Sequence, residues 1–284
     1  MNFMNERCTC GIDRVPVVTI SVFVLQLCVF YSSQPWSSNM WYAYGYRHPE
    51  HTNWFSPLTY SVFHIDVFHL WSNMGVFVIS GAIIELTEAS VRLAVVLLIS
   101  TPMAAMGHGL VSTAPVVGAS GFVYATIAYQ LALAFKNWRE MRILRDSPVF
   151  TTFTSIISSV YMRVFVAVLL LVMEFAFSNT VSNTSHGGHA LGALAGLTVG
   201  IVIGSNVRID FLEVVLPCIG LLMYIVGAMA IAAASGQILC LVYLIVCFPI
   251  LIWYVLQEWM QWIATWHVDF QYDPPRIIVA RRVG

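Results

Sequence analysis

Apolar residues fill this chain in long runs rather than in the alternation of a half-buried strand or the single stripe of a surface helix. Eight runs have about the 17 to 25 residues needed to cross, or nearly cross, a hydrocarbon layer about 30 Å thick. They cover residues 15–31, 58–86, 91–106, 115–135, 160–177, 187–204, 214–234 and 238–256. The third is short, which predicts a buried loop or frayed end around Gly107, His108 and Gly109. The pattern predicts an all-α, polytopic helical membrane protein. Polar residues with chemical potential stand out in three of the runs, and the second is the richest. The second carries His64, Asp66, His69 and Asn73 in its first half; the fourth opens on Gly118, Ala119, Ser120 and Gly121; the sixth opens on His189.

Composition supports the same class, since 59% of residues are apolar, 10% are charged and the mean hydropathy is +0.79. Such a chain is not a water-soluble domain. A net charge of −1 offers no basic field for nucleic acid, so that partner class is set aside. Cys28, Cys218, Cys240 and Cys247 fall inside apolar runs, where core packing is expected. Cys8 and Cys10, in the amino-terminal tail, are open to acylation or metal binding. No cleavage-site pattern precedes the first run, which reads as a retained helix.

Orientation follows from Lys and Arg, which accumulate in short cytoplasmic loops. With eight spans and an inside amino terminus, 12 of the 13 basic residues lie inside, and Arg47 alone lies outside. Both termini are therefore expected in the cytoplasm, with a cell membrane as the expected location. Ser120 and His189 then begin spans that enter from the outer face.

A polar side chain in hydrocarbon needs a reason, because an unpaired hydroxyl costs about 1 to 3 kcal/mol. A serine and a histidine at that depth suggest nucleophilic chemistry. His69 and Asn73, four residues apart, lie about 40° from each other on a helix and share a face. They suit either a developing oxyanion or interhelical hydrogen bonds. On the same helical geometry His64 lies opposite Asn73 and is expected to tie down the preceding loop. Asp66 either orients His69 or faces water. Gly118 and Gly121 leave the Ser120 hydroxyl accessible, although a serine in a membrane helix also commonly bonds to its own backbone. Tyr124 shares the serine's face and can stack on a ring. Gly192, Gly196, Gly200 and Gly204 form a small-residue stripe able to press against Gly121, Ala125 and Ala128, carrying His189 toward Ser120. His186 precedes the pair Gly187 and Gly188, read as a break, and is the weaker choice of base.

These residues together resemble the rhomboid family of intramembrane serine proteases. The resemblance is carried by His64, His69 and Asn73, by Gly118 to Gly121 with Tyr124, and by His189, Gly192 and Gly196, with Gly81 and Glu85 fitting a further family motif. It covers residues 15–204. It implies a six-helix core and a Ser–His dyad, with Ser120 as nucleophile and His189 as base. It further implies an oxyanion hole of His69, Asn73 and Ser120, a Tyr124 ring stacked on His189, supporting roles for Gly118, Gly121, His64 and Gly192, and no cofactor or metal. The chain departs from the family before the second span, where Phe55 and Ser56 stand at the positions of a frequent Trp–Arg pair.

The expected organisation is a cytoplasmic tail (1–14), the catalytic core (15–205), two additional transmembrane helices (206–263) and a second cytoplasmic tail (264–284). The expected function is cleavage of single-span membrane proteins near the outer interface, with lipid and transmembrane substrates as partners. The segment 178–188 and the fifth span would gate a substrate helix arriving from lipid. The rival readings are a catalytically inactive client-binding relative and, more distantly, a transporter.

Overall fold

A computed structural model of the chain describes residues 15–33, 43–47, 54–136, 164–165, 167–169, 171–172, 185–204, 211–236 and 238–272. Seven helices organise them: α1 (Val17–Ser33), α2 (Val67–Thr87), α3 (Ser90–Val111), α4 (Ser120–Lys136), α5 (His186–Ile203), α6 (Phe211–Ser235) and α7 (Ile238–Tyr272). The only β pairing among the described residues is an isolated bridge, in which Tyr46 and Val116 exchange backbone hydrogen bonds of 3.0 and 2.9 Å. Helices α2, α3 and α5 are long and apolar enough to cross a bilayer, and the shorter apolar stretches Val17–Ser33, Val215–Ala230 and Leu241–Gln257 accompany them. The protein is a polytopic all-α membrane protein. Most of the fifth span, the segment 137–163, Cys8, Cys10, residues 178–184 and the tail beyond 272 lie outside the described residues.

Helix α4 is the centre of the bundle. Its buried set runs almost continuously from Gly121 to Lys136, so it faces protein on nearly all sides. Helix α5 packs along it on the glycine stripe. A Cβ on Gly192 would come within 2.2 Å of the Gly121 carbonyl oxygen, and one on Gly196 within 2.0 Å of that of Ala125. Further along, Gly200 faces Ala132 and Tyr129, and Gly204 faces Leu133. The expected partner Ala128 is not among the atoms nearest these glycines.

Two expectations about helix ends are corrected. The second apolar run is not one helix from residue 58. A helical turn (Ser56–Thr59) and a 3-10 turn (Tyr60–Val62) give way to extended backbone at Phe63, and α2 starts only after Asp66. The Asp66 side chain accepts from the His69 amide at 2.7 Å as the N-cap. The third run does not fray at Gly107–Gly109 either: α3 is helical through Val111. A Cβ on Gly107 would lie 2.1 Å from the Gly187 carbonyl oxygen, so backbone contact with α5 holds this end in place.

Glu85, near the end of α2, reaches the first turn of α1. Its carboxylate accepts from the Val18 and Thr19 amides (2.8 and 2.9 Å) and the Thr19 hydroxyl (2.8 Å). A Cβ on Gly81 would sit 3.1 Å from that hydroxyl, so the glycine admits the approach. An acidic group satisfying free amides at a helix start is favourable. At the other end of the chain, α7 extends well past the expected boundary at 263, over 35 residues. At about 1.5 Å per residue it is roughly 52 Å long and outreaches the hydrocarbon layer. Its buried row Leu244, Cys247, Leu251 and Val255 recurs at helical spacing. The Tyr243 hydroxyl donates to the Trp54 carbonyl at 2.9 Å, tying α7 to the loop before α2.

Candidate active site

The backbone before α4 is shaped by Gly118, whose φ of +132° is a conformation that L side chains rarely adopt. A Cβ there would strike the His69 ring at 2.6 Å, so glycine is also required by contact. Two residues later Ser120 begins α4 with its side chain half-buried. As the first residues of the helix, Ser120 and Gly121 have amide groups without intrahelical partners.

His189 lies in the first turns of α5 and is 9% exposed. Its Nε2 is 2.8 Å from Ser120 Oγ. The Tyr124 ring stacks on the imidazole, with centroids 4.3 Å apart and planes 18° from parallel. The glycine stripe permits the contact, because Gly192 lets α5 pack on the Gly121 backbone of α4 and Gly196 lets it pack on that of Ala125. His186 is exposed at the start of the same helix. The expected break at Gly187 and Gly188 is absent: both are helical. Gly187 abuts the Gly107 carbonyl, and a Cβ on Gly188 would meet the Ser185 hydroxyl at 2.8 Å.

His69 is half-buried and lies against Gly118, with the His64 ring in an edge contact at 5.1 Å. Asn73, one turn on, is 1% exposed, and its amide nitrogen has no hydrogen-bond partner among the described residues. A buried donor left unpaired costs about 1 to 3 kcal/mol. His64 does not lie on the helix face assigned to it, because it precedes α2. Its Nε2 accepts from the Ala119 amide at a long 3.5 Å, linking the approach to α2 with the approach to α4. Asp66 is exposed, as expected, and in addition caps α2.

Beside Ser120 lies a small cleft walled by α3, α4 and the start of α5. Ser120, Gly121, Gly188 and His189 line it together with Tyr60, Ala104, His108 and Ser185, whereas His69 and Asn73 do not. Sequence reasoning missed this second group. Ser185 carried a signal, a serine immediately before a helix start. Tyr60, whose hydroxyl donates to the Thr101 carbonyl at 3.0 Å, carried none.

The model of the rhomboid domain matches residues 51–206, more than half of the chain. The chain belongs to the rhomboid family. That family consists generally of intramembrane serine proteases and includes inactive members. The matched segment contains Ser120, His189, His69 and Asn73, and it ends before α6. A search of curated proteins returned no match.

Proposed function

We propose that this rhomboid protein is an active serine endopeptidase that cleaves single-span membrane proteins near the outer membrane interface. The observation that carries the reading is the 2.8 Å contact between His189 Nε2 and Ser120 Oγ. In this mechanism the imidazole takes the hydroxyl proton as Oγ attacks the scissile carbonyl, and gives it to the departing amine. Water then hydrolyses the acyl-enzyme. The negative charge on the tetrahedral oxygen is received by the Ser120 amide, His69 and Asn73, each donor being worth about 2.7 to 4 kcal/mol in a site of low dielectric. The unpartnered amide nitrogen of Asn73 supports that role, since it is a donor held in reserve. Tyr124 orients the imidazole by stacking, so no third carboxylate is needed.

The substrate must present an extended peptide, and a helix in lipid has its backbone fully bonded. Substrates are therefore spans that unwind easily, with Gly, Pro or small residues near the outer interface. We further propose a multi-pass protein of the cell membrane with both termini cytoplasmic, and a catalytic unit that ends near residue 205. The test is cleavage of a helix-destabilised single-span reporter in vesicles. Wild type should cleave it and Ser120→Ala should not. Binding of the reporter without cleavage by wild type would favour the inactive client-binding reading. Inhibition by chelators with cleavage intact in Ser120→Ala would exclude serine chemistry.

A further inference from the structure

His108, in the last turn of α3, is a second buried histidine beside the dyad, with 6% of its surface exposed. It is not available as a base, because both ring nitrogens are engaged. Nε2 lies 2.7 Å from the Ala114 carbonyl oxygen and Nδ1 lies 2.8 Å from Ser185 Oγ. A carbonyl only accepts, so Nε2 carries the proton and, in the neutral ring, Nδ1 accepts from the Ser185 hydroxyl. The Ser185 oxygen in turn accepts from the Gly188 amide at 3.3 Å as the N-cap of α5. The Ser185 carbonyl accepts from the His189 amide at 3.0 Å. One continuous chain of donors thus runs from the first turn of α5 through the imidazole to the segment between α3 and α4.

The two anchors occupy corresponding places. Ala114 is six residues before Ser120, and Ser185 is four residues before His189. A single ring therefore bridges the stretch leading to the nucleophile and the stretch leading to the base. Next to it, Gly107 and Gly187 are in backbone contact, which leaves little slack for the bridge to absorb. We propose that His108 is a positioning residue for the dyad: with Ser185 as its partner, it sets where α5 begins and so how far His189 reaches toward Ser120. This rests on reading Ser120 and His189 as the dyad, and it adds a residue that does not touch the reacting atoms.

The experiment compares wild type, His108→Ala, Ser185→Ala, Ser185→Thr and the double alanine variant in detergent and in vesicles. The readouts are the rate of fluorophosphonate labelling at Ser120 and the kcat and KM for the single-span reporter. A misplacement of about 1 Å costs up to about 10²-fold in rate. His108→Ala and Ser185→Ala should each lower labelling and kcat by about 10- to 100-fold, with KM within about twofold of wild type. The double variant should be no worse than either single one, since one bridge is broken in all three. Ser185→Thr, which keeps a hydroxyl that both donates and accepts, should restore most of the rate. Should His108→Ala not fold, the contrast between Ser185→Ala and Ser185→Thr decides in the same way. Labelling and kcat at wild-type levels in the alanine variants, or losses that multiply in the double variant, would overturn the positioning role while leaving the dyad intact. A wild-type protein that neither labels nor cleaves would instead overturn the dyad, and this inference with it.

Discussion

Replacing Gly192 by alanine adds one methyl group where the helices carrying Ser120 and His189 meet backbone to backbone, next to the dyad. Its position is fixed by the backbone: 2.2 Å from the Gly121 carbonyl oxygen and 2.9 Å from the carbonyl carbon, where ordinary contact begins at 3.4 Å. No flexible side chain stands in the way to move aside. The helices must part by about 1.2 Å at this point. Carried to the dyad, the same displacement would take the 2.8 Å contact between Nε2 and Oγ to about 4 Å, beyond hydrogen-bond range. Overpacking of this kind costs about 1 to 3 kcal/mol of stability, and a misplacement near 1 Å costs up to about 10²-fold in rate. Gly192→Ala should therefore stay folded in detergent with a lowered melting temperature, while fluorophosphonate labelling at Ser120 falls by about 10²-fold. Gly227→Ala is the control, since a Cβ there meets nothing within 4 Å. It should label at the wild-type rate. Normal labelling in Gly192→Ala would refute the argument that glycine packing sets the dyad distance.

Three further outcomes are expected. Asn73→Ala should lower kcat by about 10² to 10³ with little change in KM; full turnover with lost thermal stability would return Asn73 to a packing role. A cysteine placed at position 142 should resist a membrane-impermeant reagent applied to intact cells, and labelling from outside would reverse the proposed orientation. A chain ending after Arg208 should still insert and label at Ser120, though with the loop at Trp54 released from Tyr243. Loss of labelling in a normally folded truncation would place α6 and α7 inside the catalytic unit.

The sequence made the site more legible than the helix ends. Glycines four residues apart in α5 announced close packing, because only the smallest side chain permits backbone contact, and Gly121 and Ala125 are where that contact falls. The start of α2 was obscured because residues 58–63 are as apolar as a helix interior. The break is made by extended backbone at Phe63 and by the cap at Asp66, and capping is a signal carried by one residue. Gly107 and Gly109 suggested fraying at the end of α3, whereas Gly107 is there to meet Gly187, a contact between segments about 80 residues apart that no local pattern encodes. The length of α7 was missed because the polar pair Gln257 and Glu258 reads as the end of the apolar run, whereas both are good helix formers and apolar residues resume at Trp259 and Met260. His108 and Ser185 lie far apart in sequence, and their pairing is a product of the packing of α3 on α5.

The central claim is that Ser120 and His189 act as one unit, and labelling of the purified protein with a fluorophosphonate, mapped by mass spectrometry, tests it most directly. A nucleophile and its base do not lose function additively. Wild type should carry an adduct on Ser120, and Ser120→Ala none at that position. In folded His189→Ala labelling should fall by at least about 10²-fold, as expected when the group that activates the hydroxyl is removed. An adduct on a different serine, or labelling of Ser120 undiminished in His189→Ala, would contradict it.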